Sequence, residues 1–145
     1  MKKGIFSKGF TVVELIISVL VMAILAELTI PYFLNQRMRA RAISVDAMSN
    51  AVSYSVLLAI KKYHIQHISA SDSIVLNGKS VRVKVGTGYP TGDAQGIGTI
   101  VGEIPGFVSH YGEPSTSFEL TPEVNNCHVT YFPNSGQALP TVTGC

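Results

Sequence analysis

The chain has 145 residues, of which 46% are hydrophobic and only 14% charged, which suits one modest domain with an appendage. The formal net charge of +2 depends on Lys2, Lys3 and Lys8, because residues 10–145 carry eight basic against nine acidic groups. A near-neutral body lacks the broad positive field on which non-specific nucleic-acid binding depends, so a nucleic-acid partner is disfavoured.

A short basic stretch and a long apolar segment open the chain. Residues 1–9 hold the three lysines, and residues 10–34 predict an apolar helix about 37 Å long, enough to cross a bilayer with some tilt. The basic flank predicts that residues 1–9 stay cytoplasmic while the rest of the chain is exported. A removed signal peptide is the alternative, but no Ala-x-Ala site lies directly at the end of the apolar run, since the first, Ala40-Arg41-Ala42, falls within a helical pattern that continues beyond it.

Glu14 lies near the start of the apolar run, where a charged side chain costs about 2.5–3.5 kcal/mol on insertion scales, so it is expected to have a partner. Gly9, Phe10 and Glu14, in GFTVVEL behind a lysine-rich leader, resemble the type IV pilin family. The resemblance implies cleavage between Gly9 and Phe10 by a prepilin peptidase, with N-methylation of the new Phe10 amine. It also implies that Glu14 meets the Phe10 amine of a neighbouring subunit during assembly.

Two further residues interrupt the apolar helix. Pro31 has no N–H, so the helix is expected to bend or weaken there, and a proline at this place also fits the family. Glu27 departs from the apolar pattern. It is either a tolerated interfacial charge or the mark of a stretch that unwinds in the filament and pairs with a base such as Arg37, Arg39 or Arg41 of another subunit.

Residues 35–63 are predicted to continue the helix as an amphipathic segment ending near Tyr63. The stripe expected to cover the globular domain consists of Leu34, Met38, Val45, Met48, Val52, Val56 and Ile60. The opposite surface is expected to carry small side chains, namely Ser44, Ser49, Ser53 and Ser55 with several alanines. Both halves together would measure about 80 Å, too long for one core of this size, so lipid or other copies must cover the first half.

Residues 64–145 shift to Gly, Ser, Thr and Pro with short β-branched runs, which predicts an α+β fold with the helix packed on an antiparallel sheet. Asn77-Gly78 between two apolar runs predicts a two-residue hairpin. Residues 86–98 hold five glycines without a following Lys-Ser or Lys-Thr pair, so a surface loop is favoured over a phosphate site. Later strands are predicted at 117–120, 128–132 and 139–143, with a turn containing Pro133, Asn134 and Gly136.

Cys127 and Cys145 are the two cysteines of the chain. An even, clustered pair in an exported chain predicts one disulfide in an oxidising compartment, with free thiols as the alternative. A terminal loop held by two cysteines also resembles the D-region of type IVa pilins. The ending CHVTYFPNSGQALPTVTGC, with NGKSVRV and GYPTG, resembles mannose-sensitive haemagglutinin pilins.

The histidines and the charged clusters have simpler interpretations than catalysis or metal binding. His64 and His67 lack a further ligand at a recognisable spacing, His110 is assigned to a loop, and His128 follows a disulfide cysteine. Calcium binding is an alternative for Asp93, Glu103 and Glu113, but their spacing matches no calcium-loop motif. DNA contact is an alternative for Lys79, Arg82 and Lys84, but a solvated charge face is favoured. No cofactor, metal or catalytic set is expected.

The sequence thus predicts a structural subunit of a type IV pilus that polymerises through its N-terminal helix, for adhesion or motility, and is not an enzyme. Expected partners are other copies of the chain, the prepilin peptidase, an inner-membrane assembly platform and membrane lipid; the sequence indicates no particular surface receptor. The expected location is the inner membrane with a periplasmic C-terminal domain, then the extracellular pilus. A type II secretion pseudopilin or a minor pilin is the nearest alternative, and a membrane-anchored periplasmic enzyme or ligand-binding domain is the alternative of another class.

Overall fold

The computed structural model describes residues 10–66 and 72–145, so Gly9 and His67 lie outside the described residues. The chain forms two compact units, one ending at Met38 and the other comprising Arg39–Cys145. Helix α1 (Val12–Ile65) contributes to both units and continues without a break in helical structure through Pro31. Lys62 and His64 occupy its last turn, where positive charge is favourable for the helix dipole.

The second unit contains two antiparallel sheets. The smaller sheet pairs β1 (Ser73–Leu76) with β2 (Lys79–Arg82). After a short helix α2 (Ile97–Val101), the larger sheet follows the order of the chain from β3 to β6. Its strands are β3 (Phe107–His110), β4 (Thr116–Leu120), β5 (His128–Phe132) and β6 (Gln137–Thr141). The predicted α+β class, with the helix packed on an antiparallel sheet, is confirmed.

The main core lies between the C-terminal half of α1 and the larger sheet. Val45 and Val52 of the helix belong to one buried cluster with Phe118, Val129 and Tyr131 of the sheet. Burying side chains of this size stabilises a fold by about 1.5–3 kcal/mol each. Buried and less buried side chains alternate along β4 and β5, so one face of each strand packs towards the helix and the other face points outward.

The predicted hairpin, formed by β1 and β2, is confirmed. A second buried cluster joins it to the end of α1. Ala59 and Tyr63 pack against Ile74 and Val81 of β1 and β2. The turn at Asn77-Gly78 has φ values of 50° and 78°, the positive values that a two-residue hairpin turn of this kind requires.

The segment 86–98 departs from its predicted surface position, because several of its residues are buried against the core. Tyr131 donates its hydroxyl to the Pro90 carbonyl over 2.8 Å, and Thr116 donates to the Gly92 carbonyl over 2.7 Å. Burial raises the pKa of the Tyr131 hydroxyl above its ordinary value, which keeps it a donor. These bonds satisfy buried carbonyls of an irregular segment, so the segment is part of the packed domain.

Candidate functional site

The N-terminal end of α1 carries a reciprocal hydrogen-bonded cap between Thr11 and Glu14. The Glu14 N–H donates to Thr11 Oγ1 over 3.2 Å, and the Thr11 N–H donates back to Glu14 Oε2 over 3.1 Å. The Thr11 hydroxyl donates to the same carboxylate oxygen at 3.1 Å. This is a capping box, which satisfies N–H groups that have no helical partner. The Glu14 charge in the first turn also favours the helix dipole.

Glu14 therefore has a local structural role that the sequence analysis missed, although the Thr11-x-x-Glu14 spacing was its signal. Glu14 Oε1 accepts no hydrogen bond within residues 10–66 and 72–145. Phe10 immediately precedes the cap, and its side chain is 67% exposed. Because only one carboxylate oxygen is used, Glu14 can accept a bond from an ammonium group while the cap stays intact.

The first unit presents apolar side chains on every side of the helix. The large apolar residues between Val12 and Leu34 are all exposed. By length and composition alone, α1 is apolar enough to cross a membrane. The hydroxyls of Ser18 and Thr29 donate to helix carbonyls four residues earlier, over 2.7 and 2.9 Å. These side-chain donors are therefore satisfied without water, as an apolar environment requires.

Glu27 is an exposed acid within this apolar surface and makes no ion pair among the described residues. Arg37, one of its predicted partners, instead places its guanidinium carbon 4.7 Å from the centre of the Phe33 ring. Such cation–π contacts contribute about 0.5–1 kcal/mol at exposed sites. Pro31 lies four residues after Glu27 and leaves the Glu27 carbonyl without its usual helical donor. Pairing of Glu27 with another subunit stays a prediction.

The C-terminal half of α1 also exposes large apolar side chains on the face opposite the buried one, interrupted by Asn50 and Lys61, which the sequence analysis did not foresee. One face is buried against the sheet. The other, called here the outer stripe, consists of exposed side chains at spacings that place them on one side of the helix: Ile43, Tyr54, Leu57, Leu58 and Ile65. The predicted surface of small residues is partly wrong, since Ser49 is buried and donates its hydroxyl to the Ala138 carbonyl over 3.1 Å.

Several of the charged residues that could bind calcium or DNA form ion pairs with one another. Arg82 Nη1 lies 3.0 Å from Asp93 Oδ2, and Lys84 Nζ lies 3.6 Å from Glu113 Oε2. Lys84 also donates to Asn134 Oδ1. Arg82 and Lys84 thus each face an internal acid, which reduces the charge that these two pairs offer to an external ligand.

Asp93 also organises the backbone of the segment that follows it. Its Oδ1 accepts hydrogen bonds from the Gly96 N–H and the Thr91 hydroxyl, at 2.6 and 3.0 Å. Desolvation raises the pKa of Asp93, but these bonds and the adjacent Arg82 outweigh it, so the pKa lies below its ordinary value. The carboxylate oxygens of Asp93 thus accept hydrogen bonds from the protein itself, so Asp93 has a structural role.

Cys127 and Cys145 form the predicted disulfide, with an S–S distance of 2.04 Å. Both half-cystines are buried in the main core cluster. The Gly144 N–H donates to the Asn126 carbonyl over 3.0 Å, which holds the last residues beside the start of the loop. A side chain at Gly144 would collide with the Asn125 carbonyl oxygen, so this close approach requires glycine.

The histidines are more dispersed than a preformed metal centre requires. His64 packs edge-to-face on Tyr63 with ring centroids 5.8 Å apart. His110 ends β3 and His128 begins β5, so the assignment of His110 to a loop was wrong. Within residues 10–66 and 72–145, no three His, Cys, Asp or Glu side chains are already grouped to hold a metal ion.

Comparisons of the chain with protein-family models, with curated proteins and with solved structures gave no match.

Proposed function

We propose that this chain is a pilin-like structural subunit that polymerises through its N-terminal helix into a type IV pilus. The observation that carries the proposal is the start of α1, which exposes large apolar side chains all round between Val12 and Leu34, interrupted by Glu27, and has the capped carboxylate of Glu14 four residues after Phe10. A helix that is apolar all round is stable only when lipid or protein covers it. We propose that membrane lipid covers this part of the helix before assembly and that other copies of the chain cover it in the filament.

Glu14 supplies the specific contact in this proposal. Cleavage after Gly9 would remove Lys2, Lys3 and Lys8 and create an amine at Phe10, the residue before the cap. The unused Glu14 Oε1 is then available to the amine of a neighbouring copy. A charge buried in an apolar environment requires such a partner, so burial of the two groups together favours assembly over isolated insertion.

The outer stripe extends the proposed contact surface into the second unit. Contiguous exposed apolar residues commonly mark interaction sites. Tyr54 is 63% exposed and Ile43 is 67% exposed, although both belong to a helix whose other face is fully packed. We propose that the apolar N-terminal helices of neighbouring copies cover this stripe in the filament.

Replacing Leu58 of the outer stripe with glutamate is expected to reduce filament yield about tenfold or more, because a charge would be buried at a helix contact. Because Leu58 is 37% exposed and partly packed within the subunit, the melting temperature is measured beside the yield, so that a loss of fold is separated from a loss of assembly. Yield is measured by quantifying filaments sheared from cells. The matched control is Leu139→Glu, which places the same charge on an exposed leucine of β6 and should assemble normally. Equal yields from Leu58→Glu and the parent would contradict the assignment of the outer stripe.

The proposed function is tested most directly by the intact mass and N-terminal sequence of the mature protein. The expected N-terminus is Phe10 carrying one added methyl group. An intact Met1, or cleavage well beyond Phe10, would favour a different class of anchored protein. Microscopy of sheared filaments then separates a major pilin, including one of the mannose-sensitive haemagglutinin type, from a pseudopilin or minor pilin.

A further inference from the structure

The face of the larger sheet that points away from α1 brings together three residues from three strands. Phe118 and Val129 point into the core, so their neighbours Glu119 and His128 point outward. Glu119 of β4 lies directly opposite His128 of β5 in the strand register. His110 of β3 is the diagonal neighbour of Glu119 on the same face, because it is paired with Ser117.

His110 and Glu119 already have the spacing of two ligands. His110 Nε2 lies 3.7 Å from Glu119 Oε2, which is too long for a hydrogen bond. Two donor atoms on a tetrahedral ion, with metal–nitrogen and metal–oxygen distances of about 2.0–2.2 Å, lie about 3.4 Å apart. The observed separation of the two atoms is therefore close to the one that a shared ion requires.

Ser117 fixes the carboxylate in this orientation. Its hydroxyl donates to Glu119 Oε1 over 3.0 Å, which leaves Oε2 for His110. Outer hydrogen bonds of this type orient the ligating carboxylates of metal sites. Ser117 acts here as a positioning residue.

His128 lies opposite Glu119 in the strand register, so it is the residue on this face whose side chain could rotate towards the same point. Residues directly opposite on antiparallel strands have Cβ atoms about 4.5–5.5 Å apart, which is within reach of an imidazole and a carboxylate sharing one ion. His128 is half-buried and makes no hydrogen bond through its ring within residues 10–66 and 72–145. The described side chains are not yet grouped around one point, so the rotation of His128 would complete the site.

We propose that His110, Glu119 and His128 bind one divalent transition-metal ion of the zinc type, with water in the remaining position. Two imidazoles and a carboxylate suit Zn²⁺, Ni²⁺ or Cu²⁺, whereas Ca²⁺ and Mg²⁺ prefer oxygen ligands alone. The three residues belong to strands of the larger sheet, whereas the outer stripe belongs to α1, so variants at one can be made without changing the other.

The test is a titration of Zn²⁺ into the full mature chain in detergent, purified without a polyhistidine tag. One ion should bind per chain, and His110→Ala, Glu119→Gln and His128→Ala should each weaken binding at least about tenfold. Ser117→Ala should weaken it about 10–100-fold as a positioning residue, provided that circular dichroism shows an intact fold. Addition of Ca²⁺ in place of Zn²⁺ should give no comparable binding.

The matched control is the double variant His64→Ala with His67→Ala, which removes two histidines elsewhere in the chain and should bind Zn²⁺ as the parent does. Loss of binding in this control alone would overturn the proposal. Parent-like affinity in His110→Ala, Glu119→Gln or His128→Ala would also overturn the three-ligand site, as would the absence of one-to-one Zn²⁺ binding in the parent.

Discussion

Replacing Glu14 with glutamine is expected to lower filament yield at least about 100-fold, while cleavage before Phe10 continues. Removing one partner of a buried ion pair costs about 3–5 kcal/mol, because the other charge is left buried and uncompensated. Here that other charge would be the Phe10 amine of the neighbouring copy. The measurement is the amount of filament sheared from cells, compared with the amount of cleaved subunit in the membrane.

Thr11→Val separates the two roles of Glu14. Glutamine at position 14 keeps an oxygen that can accept the Thr11 N–H but has no charge, whereas valine at position 11 removes the capping hydroxyl and leaves the carboxylate charged. Loss of a capping side chain typically costs about 1 kcal/mol. Thr11→Val should therefore retain most of its filaments. Normal yield from Glu14→Gln would contradict the role of Glu14 in assembly.

The elements that could be predicted from the sequence are those marked by a long hydrophobic periodicity or by a strong local turn signal. The end of α1 at Ile65 lies two residues from its prediction, and Asn77-Gly78 identified the hairpin through its turn alone. The strands β4 and β5 were placed to within one residue. These signals are local, because hydrophobic periodicity and positive φ act within a few residues.

The elements that depend on distant partners were missed. Strand β3 has only four residues, and it is stable as a strand because it pairs with β4. Helix α2 follows Gly96 in a glycine-rich segment, where buried Ile97 belongs to the main core. Strand β6 begins at Gln137, two residues before its prediction, because its register is set by β5.

The residues of the proposed assembly site were named from the sequence and their role stays a prediction, whereas the cap geometry at Glu14 was not foreseen. GFTVVEL identified Gly9, Phe10 and Glu14, yet the Thr11 hydroxyl and the unused Glu14 oxygen became evident only from the hydrogen bonds. The outer stripe was not predicted, because the apolar periodicity of the segment was assigned to one buried face of the helix. The cluster of His110, Glu119 and His128 depends on strand register across three strands, which spacing along one chain does not encode.

Replacing Cys127 and Cys145 together with alanine is expected to lower the free energy of unfolding of the second unit by about 3 kcal/mol. The crosslink spans a sequence separation of 18, and closing a loop of that size restricts the unfolded chain by about this amount in the chain-entropy estimate. For a domain of this size the melting temperature should fall by about 10–20 °C. Near-ultraviolet circular dichroism of the full chain in detergent reports the transition through its tyrosines.

Reduction of the parent protein provides the matched control for the disulfide. A reducing agent should destabilise the parent to a similar extent, because it removes the same crosslink while retaining both buried sulfur atoms, and it should leave the alanine variant unchanged. Both half-cystines are buried, so reduction must be verified by mass before melting. If the fully reduced parent melted at the same temperature as the oxidised protein, the crosslink would not stabilise the fold, and the terminal loop would be held by its packing against the core alone.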